Sequence, residues 1–213
     1  MADTIFWNVD TQYDFMREEE PGGRLPVPGA KSIEDKLAYL TEKAADEGYT
    51  VVNTADWHNE DTDELSEDPD YVETFPEHCM AGTKGAEYVP ATRPEDPYVI
   101  DWKQDDVDLD EVENSREIVL YKDQFNVFEG SPHTDEVVEE LDPDRVVVYG
   151  VATNVCVDQA IQGLRDRDIE VYAVTDAMEG LPEPPVEDIV ADWEDREVIL
   201  GTMEELDNYL EEA

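Results

Sequence analysis

The sequence has few basic residues and almost no cysteine. Its 213 residues include 14 lysines and arginines against 58 aspartates and glutamates, and only two cysteines. Because contacts with phosphate need clustered cations, this shortage argues against a DNA or RNA partner. Two cysteines allow at most one disulfide and form no C-x-x-C pair, so the chain lacks the framework of a disulfide-stapled protein.

Long hydrophobic runs are also missing. The apolar stretches are far too short to span a bilayer, and no charged-then-apolar leader precedes the first strand-like run. We therefore expect a reduced, cytoplasmic protein without a membrane partner. Because 40% of the residues are hydrophobic, the chain can fill a full core, and we expect one domain over residues 1–213.

The acidic residues give a formal net charge of −44, and they are spread along the chain instead of forming a tail. Such a surface repels itself in dilute buffer and needs dense counter-ions to screen it. With only six lysines, the composition resembles that of proteins from salt-accumulating halophilic archaea. We therefore predict that the fold requires molar salt for stability.

Strand patterns alternate with helical patterns along the chain. Strands are expected at residues 5–9, 49–54, 117–121, 145–149, 170–175 and 197–201, and helices at 33–47, 134–141, 155–167, 186–193 and 203–210. This alternation predicts an α/β fold, a three-layer α/β/α sandwich around a central parallel sheet. Residues 59–104 lack periodicity and are too long for an idle connection, so we interpret them as a functional excursion or lid.

Chemically competent side chains follow the predicted strands. Folds of this class place their chemistry beyond the carboxyl ends of the strands. In chain order the residues found there are Asp10, Asp14, Asp56, His58, Lys122 and Cys156. Each alone is more simply read as a loop or surface residue, but their joint placement predicts an active site along one edge of the sheet.

Cys156 opens the helical pattern that follows Gly150 and a turn of small residues. A thiol there lies beside unpaired backbone N–H groups and the positive end of a helix, which favour the thiolate. In this interpretation Lys122 stabilises the thiolate, and Asp10 carries its proton to a leaving amine. The alternatives are a small buried hydrophobe for the cysteine and an edge lysine with a packed stem.

Two of the three histidines lie in a candidate metal site. Asp56 and His58 are two residues apart and face the same way in an extended segment, and His78 can supply a third ligand. This nitrogen and oxygen donor set suits zinc, iron or manganese. We interpret His133 as part of a helix start, and Cys79 as a packing residue instead of a ligand.

Taken in order, these motifs resemble the isochorismatase-like cysteine hydrolase superfamily, and within it the nicotinamidases. The matching segments are Val9-Asp-Thr-Gln-Tyr-Asp-Phe15, Asp56-Trp-His58 with residues 75–87, Lys122 with residues 125–130, and residues 150–157. Together they cover the chain from its first strand to the helix after Cys156. The resemblance implies an isochorismatase-like, Rossmann-like fold and a small-molecule amide substrate, and members of the family are commonly homo-oligomers.

The resemblance also assigns roles to single residues. It implies a catalytic triad of Asp10, Lys122 and Cys156. It further implies a cis peptide between Val151 and Ala152, with the backbone amides of Ala152 and Cys156 forming an oxyanion hole.

The remaining roles concern the metal and the substrate. The resemblance implies that Asp56, His58 and His78 hold a divalent metal, zinc in the first place with iron and manganese as alternatives. In nicotinamidases this metal binds the ring nitrogen of the substrate. An aromatic slot for a flat ring would be formed by Phe15, Phe75 and Phe125.

Two departures from the nicotinamidase pattern keep alternatives open. Glu64, Ser66 and Glu67 all compete for the position of a fourth metal ligand. The lysine motif is shorter than in nicotinamidases and has Asp123 where glycine often follows, which is more similar to relatives acting on carbamoyl or ureido compounds.

We therefore expect a cysteine amidohydrolase that cleaves a small amide to a carboxylic acid and ammonia through a thioester. Nicotinamide is the leading substrate. The alternatives are a related amidohydrolase for a carbamoyl, ureido or other small amide, and a catalytically inactive binding protein of the same fold.

Overall fold

The structure, a computed structural model, describes residues 3–211 as a seven-stranded parallel sheet flanked by helices. The strands lie in the order β3-β4-β2-β1-β5-β6-β7. Their bounds are Thr4–Val9 (β1), Thr50–Asp56 (β2), Tyr98–Ile100 (β3), Glu117–Lys122 (β4), Arg145–Val151 (β5), Glu170–Glu179 (β6) and Ile199–Gly201 (β7).

Within residues 3–211, eight α-helices connect or flank these strands. They are Tyr13–Met16 (α1), Glu34–Glu47 (α2), Leu109–Asn114 (α3), Val127–Gly130 (α4), Thr134–Leu141 (α5), Asp158–Arg165 (α6), Val186–Asp195 (α7) and Met203–Glu211 (α8). A 3₁₀ turn at Ala30–Ile33 precedes α2, and a π-helical turn at Thr153–Val157 precedes α6. None of the helices within residues 3–211 has the length and hydropathy needed to cross a bilayer.

The sheet separates two apolar cores. Strand β1 is buried along its whole length, and its alternating side chains enter opposite cores, Trp7 on one face and Phe6 on the other. Leu37, Leu40 and Ala44 form the buried stripe of α2 that covers the Phe6 face. This two-sided burial explains why the central strands are continuous runs of apolar residues instead of alternating patterns.

The predicted α/β fold with a central parallel sheet is confirmed. The structure differs from the expected elements at several places, and the short helices α1, α3 and α4 were not expected. Strand β3 lies inside the stretch 59–104, where no strand was expected, because three residues are too few to show a period. The helix expected at 155–167 is shorter, since its first part is the π-helical turn that carries Cys156.

The surface charge gives the first testable prediction. Exposed carboxylates crowd together, for example along residues 105–111, and lysine and arginine are too few to neutralise them. We expect the melting temperature to rise by about 10 °C or more between low salt and molar KCl, because counter-ions screen this repulsion. Sucrose at equal osmolality, which does not screen charge, should give a smaller rise in calorimetry. A melting temperature independent of KCl would contradict the prediction.

Candidate active site

Four neighbouring strands bring the predicted residues to one edge of the sheet. Lys122, the last residue of β4, is directly paired in register with Asp56, the last residue of β2. Asp10 follows β1, and Cys156 lies in the π-helical turn after β5. Because β4, β2, β1 and β5 are consecutive in the sheet, the four side chains meet beyond its carboxyl edge.

Lys122 is fully buried between two carboxylates. Its ammonium lies 2.9 Å from Oδ2 of Asp10 and forms a direct ion pair with Oδ1 of Asp56. Burial alone lowers the pKa of a lysine, but the two carboxylates outweigh it and raise the pKa of Lys122 well above its usual value. The side chain is therefore a permanent cation, and its charge compensates the two buried carboxylates.

Asp10 has the properties of a base. Its backbone is left-handed, with φ of 48°, and its Oδ1 accepts a hydrogen bond of 2.6 Å from the hydroxyl of Thr54. Its Oδ2 is engaged only by the Lys122 ion pair among residues 3–211. Burial raises the pKa of Asp10, and Asp56 adds to the effect although Lys122 opposes it. A carboxylate with a raised pKa is well suited to accept and return a proton.

Cys156 lies beside these acids. Its Sγ, one oxygen of Asp10 and one oxygen of Asp56 are all within 4.8 Å of one another. Burial raises the pKa of the Cys156 thiol well above its usual value, because the attraction of Lys122 does not offset desolvation and the nearby carboxylates. This direction is opposite to the thiolate expected from the helix terminus, so the resting residue is a thiol that needs a base.

The turn before Cys156 has the cis peptide that the resemblance implied. The peptide between Val151 and Ala152 is cis, as expected. Gly150 has φ of 123°, and a Cβ there would lie 2.2 Å from the carbonyl oxygen of Val9, so only glycine allows β5 to approach β1 this closely. Ala152 and Cys156 both line the same cavity.

The expected metal ligands form a buried cluster of Asp56, His58, His78 and Glu64. The Nε2 atoms of the two histidines are 3.3 Å apart, and Oδ2 of Asp56 lies 3.4 Å from Nε2 of His78. Oε1 of Glu64 is 3.8 Å from the Nε2 atom of each of the two histidines. Of the three candidates for a fourth ligand, Glu64 joins the cluster and Glu67 is exposed, while the hydroxyl of Ser66 accepts a hydrogen bond from the N–H of Asp68.

This donor set fits a divalent metal ion. Oδ2 of Asp56 is buried and has no hydrogen-bond partner among residues 3–211. Nδ1 of His78 lies 2.7 Å from the carbonyl oxygen of Pro76, and donation there leaves the lone pair of Nε2 aimed into the cluster. Two imidazole nitrogens and two carboxylate oxygens converging in this way match the tetrahedral preference of zinc. Burial, followed by the charge of Asp56, raises the pKa of Glu64 to about 8.

Two residues of the first-strand motif support this cluster. Gln12 accepts a 2.9 Å hydrogen bond from the backbone N–H of Asp56 and donates to its carbonyl oxygen. Asp14 accepts a 2.8 Å bond from the N–H of Cys79, directly after His78. A Cβ at Gly85 would lie 2.1 Å from the Asp14 carboxylate, which explains the glycine. Cys79 itself is fully buried in an apolar core, and this placement agrees with its interpretation as a packing residue.

The three phenylalanines expected in a substrate slot line one cavity together with Cys156. The rings of Phe15 and Phe75 lie 5.3 Å and 6.2 Å from the ring of His78, and Phe75 lies 6.1 Å from Phe125. The sequence did not point to the aliphatic part of the lining, which consists of Leu25, Val27, Val155 and Leu181. The cavity has room for about one water molecule, since the centre of a water-sized sphere can occupy about 20 Å³, so a substrate ring needs more room than this conformation gives.

His133 lies apart from these groups. It precedes α5, and its Nε2 is 3.0 Å from the carbonyl oxygen of Gln104. This position agrees with its interpretation as part of a helix start.

Comparison with known proteins gives a consistent set of relatives. A family model described as the isochorismatase domain matches residues 4–205. The chain is 28% identical over 181 residues to the nicotinamidase/pyrazinamidase of Mycobacterium tuberculosis, covering 81% of this chain and 84% of that protein.

Two solved structures extend this comparison. The zinc complex of the pyrazinamidase of Pyrococcus horikoshii is 26% identical with a TM-score of 0.74, and the match covers 94% of this chain and 99% of that one. An isochorismatase family protein from Desulfovibrio vulgaris is 25% identical with a TM-score of 0.76 over 99% of both chains.

Proposed function

The chain belongs to the isochorismatase family of hydrolases, and from this premise we propose that it is an amidohydrolase converting nicotinamide to nicotinic acid and ammonia. The observation that carries the proposal is one cavity lined by Cys156, by His78 and Glu64 of the candidate metal cluster, and by three phenylalanine rings. A flat ring amide can meet a thiol and a metal there together. The names of the mycobacterial and Pyrococcus relatives support the same substrate class.

The first half of the reaction forms a thioester. The Cys156 thiol gives its proton to Oδ2 of Asp10, and the resulting thiolate attacks the amide carbon to form a C–S bond. The backbone N–H groups of Ala152 and Cys156 are proposed to bind the oxyanion. Asp10 then passes its proton to the amide nitrogen, the C–N bond breaks, and ammonia leaves. Lys122 remains an ammonium and stabilises the negative charge at each stage.

The second half of the reaction releases the acid. Asp10 takes a proton from a water molecule, and the hydroxide attacks the thioester carbon. The C–S bond breaks, and the departing thiolate recovers the proton from Asp10. Each cycle therefore consumes one water and returns Cys156 and Asp10 to their starting protonation states.

A metal ion held by Asp56, His58, Glu64 and His78 would act as a Lewis acid toward a ring nitrogen. We propose zinc, in line with the donor set and with the zinc complex of the Pyrococcus relative. The four side chains already converge within 4.8 Å, so little rearrangement is needed to hold the ion.

The charge of the cavity favours a neutral ring amide over a carbamoyl amino acid. The described residues that line it include no lysine or arginine, and Lys122 is already bound by two carboxylates. Away from the metal site, a substrate carboxylate would therefore lose its hydration without gaining a cationic side chain as a partner. Among the carbamoyl and ureido compounds that the short lysine motif suggested, this argues against those that carry a carboxylate.

The direct test measures ammonia release in molar KCl from nicotinamide, benzamide and an N-carbamoyl amino acid. We expect nicotinamide to be cleaved fastest, because benzamide has the same shape without the ring nitrogen. If another amide were cleaved and nicotinamide left intact, the substrate would be wrong. If no compound released ammonia and elemental analysis found no metal, the chain would be an inactive binding protein of the same fold.

The metal cluster gives a separate prediction. We expect about one equivalent of divalent metal per chain, and loss of both metal and ammonia release in His78→Asn, because a four-ligand site rarely survives the loss of one ligand. His133→Asn is the matched control, since this histidine lies outside the cluster, and it should keep its metal. Elemental analysis reports the metal directly, independent of activity. Full metal content in His78→Asn would contradict the assignment.

A further inference from the structure

Asn154 lies two residues before Cys156, and its carboxamide binds the loop that follows β6. Its Nδ2 donates to the carbonyl oxygen of Leu181 at 2.9 Å and also to that of Pro184, and its Oδ1 accepts from the N–H of Leu181 at 2.9 Å. The side chain is only 5% exposed. Because water is excluded, these hydrogen bonds are costly to break.

The loop has few other means of attachment. Pro182, Pro184 and Pro185 have no N–H to donate. Within residues 3–211, the hydrogen bonds that residues 181–184 make all go to the Asn154 carboxamide. Gly180 allows the close approach, since a Cβ there would lie 2.9 Å from Oδ1 of Asn154. The hydrogen bonding that fixes the loop therefore depends on this one side chain, while Leu181 also packs against the neighbouring apolar core.

Leu181 is the residue that Asn154 holds most firmly, and it lines the cavity that contains Cys156. The same cavity is also lined by His78 and Glu64, which belong to the buried cluster of candidate metal ligands. Because the cavity has room for only about one water molecule, the placement of Leu181 affects how large a ring it accepts. Apart from packing against the neighbouring apolar core, Leu181 is held by hydrogen bonds to this one carboxamide, so the loss of those bonds frees this wall to move.

We infer that Asn154 is a positioning residue for substrate selectivity, which holds Leu181 against the cavity so that compact ring amides are accepted and bulkier ones are rejected. The kinetic part of this inference rests on the proposed amidohydrolase function. The geometric part, the restriction of access to Cys156, does not. Leu181 is the wall that contacts the ring, and Asn154 acts through it.

Three variants distinguish the role of Asn154 from that of Leu181. Asn154→Asp has nearly the same shape but removes both donated hydrogen bonds and places a carboxylate against two carbonyl oxygens. Asn154→Ser removes the carboxamide without adding charge, and it serves as the second variant if the aspartate disturbs folding. Leu181→Ala removes the wall itself and leaves the Asn154 side chain in place.

The first measurement needs no catalysis. The rate of Cys156 alkylation is measured with compact iodoacetamide and with bulky N-phenylmaleimide, and the labelled residue is located by peptide mass. We expect the ratio of the bulky to the compact rate to rise about tenfold in all three variants, the effect of a small change in pocket size. A change in thiol pKa affects both reagents, so the ratio reports access alone.

The second measurement uses kcat/KM for nicotinamide and for a ring-methylated nicotinamide. In each single variant, we expect the ratio of kcat/KM for the methylated compound to kcat/KM for nicotinamide to rise about tenfold. The double variant Asn154→Asp/Leu181→Ala should match Leu181→Ala, because Asn154 has no wall left to position.

Each outcome has a definite meaning. If neither nicotinamide nor its ring-methylated form is cleaved but the alkylation ratio rises, the substrate assignment fails and the positioning role stands. An unchanged alkylation ratio in Asn154→Asp and Asn154→Ser, with a raised ratio in Leu181→Ala, would overturn the positioning role. Fully additive effects in the double variant would also overturn it, because the two residues would then act independently.

Discussion

Replacing Cys156 by serine should reduce ammonia release by about 10⁴-fold or more, the loss typical of removing a nucleophile that acts together with its base. The structure explains why the hydroxyl cannot take over. Asp10 has a raised pKa and serves a thiol, whereas a serine hydroxyl is a far weaker acid and would remain protonated. Burial and the neighbouring acids that raise the pKa of Cys156 would oppose ionisation of the serine as well.

The control for this variant is the other cysteine. Cys79 is also fully buried, but it packs in an apolar core and does not line the cavity. Cys79→Ala should keep its ammonia release within a small factor while losing about 1–2 kcal/mol of unfolding free energy, because a buried sulfur is removed. The two effects are separated by measuring initial rates and thermal unfolding. Activity retained in Cys156→Ser would rule out the thioester route.

The sequence predicted the residues that follow strands because the alternation of strands and helices determines where strand ends meet. No loop structure had to be known to predict that four of these residues lie together, since parallel strands place their carboxyl ends at one edge. The four are Asp10, Asp56, Lys122 and Cys156. The cis peptide before Ala152 came from the resemblance alone, and no pattern of composition indicates it.

Loop residues could not be predicted in the same way. In a stretch without periodicity, the sequence gives no reason to prefer one of Glu64, Ser66 and Glu67 as the fourth metal ligand. Only the folded loop shows that Glu64 lies close to the two histidines. Leu181 lies 25 residues after Cys156 in the chain, and it reaches the cavity through a proline-rich loop that carries no periodic signal. Tertiary structure, not local pattern, sets both positions.

The ionisation of Cys156 shows a different limit. The residues around it were identified from sequence, yet the direction of its pKa shift depends on how completely water is excluded and on how many carboxylates share the site. Asp10 and Asp56 both lie within 4.8 Å of the thiol, and together with burial they outweigh one lysine. A list of residues does not determine such a balance, whereas distances and burial do.

The effect of removing the buried Lys122 charge is best measured against the same change at an exposed lysine. Lys31, on the 3₁₀ turn before α2, is exposed and serves as this matched control. Lys31→Met should change the unfolding free energy by less than about 0.5 kcal/mol, as is usual for surface substitutions. It removes the same charge from a chain that already carries 44 excess negative charges, so it accounts for the general effect of net charge. Any further loss in Lys122→Met then belongs to the buried site.

Lys122→Met should destabilise the fold by about 3–5 kcal/mol, or roughly 10 °C in melting temperature, and abolish ammonia release. Methionine fills a similar volume but leaves Asp10 and Asp56 buried without a counter-charge. Lys122 now holds the pKa of Asp56 well below its usual value, so that interaction stabilises the native state above the unfolded pKa and is lost as pH falls. Without Lys122, burial raises both carboxyl pKa values, and the penalty is largest at neutral pH and shrinks toward acid pH. Urea unfolding of both lysine variants at neutral and acid pH measures this difference, and a loss no greater than that of Lys31→Met would show that Lys122 does not neutralise the site.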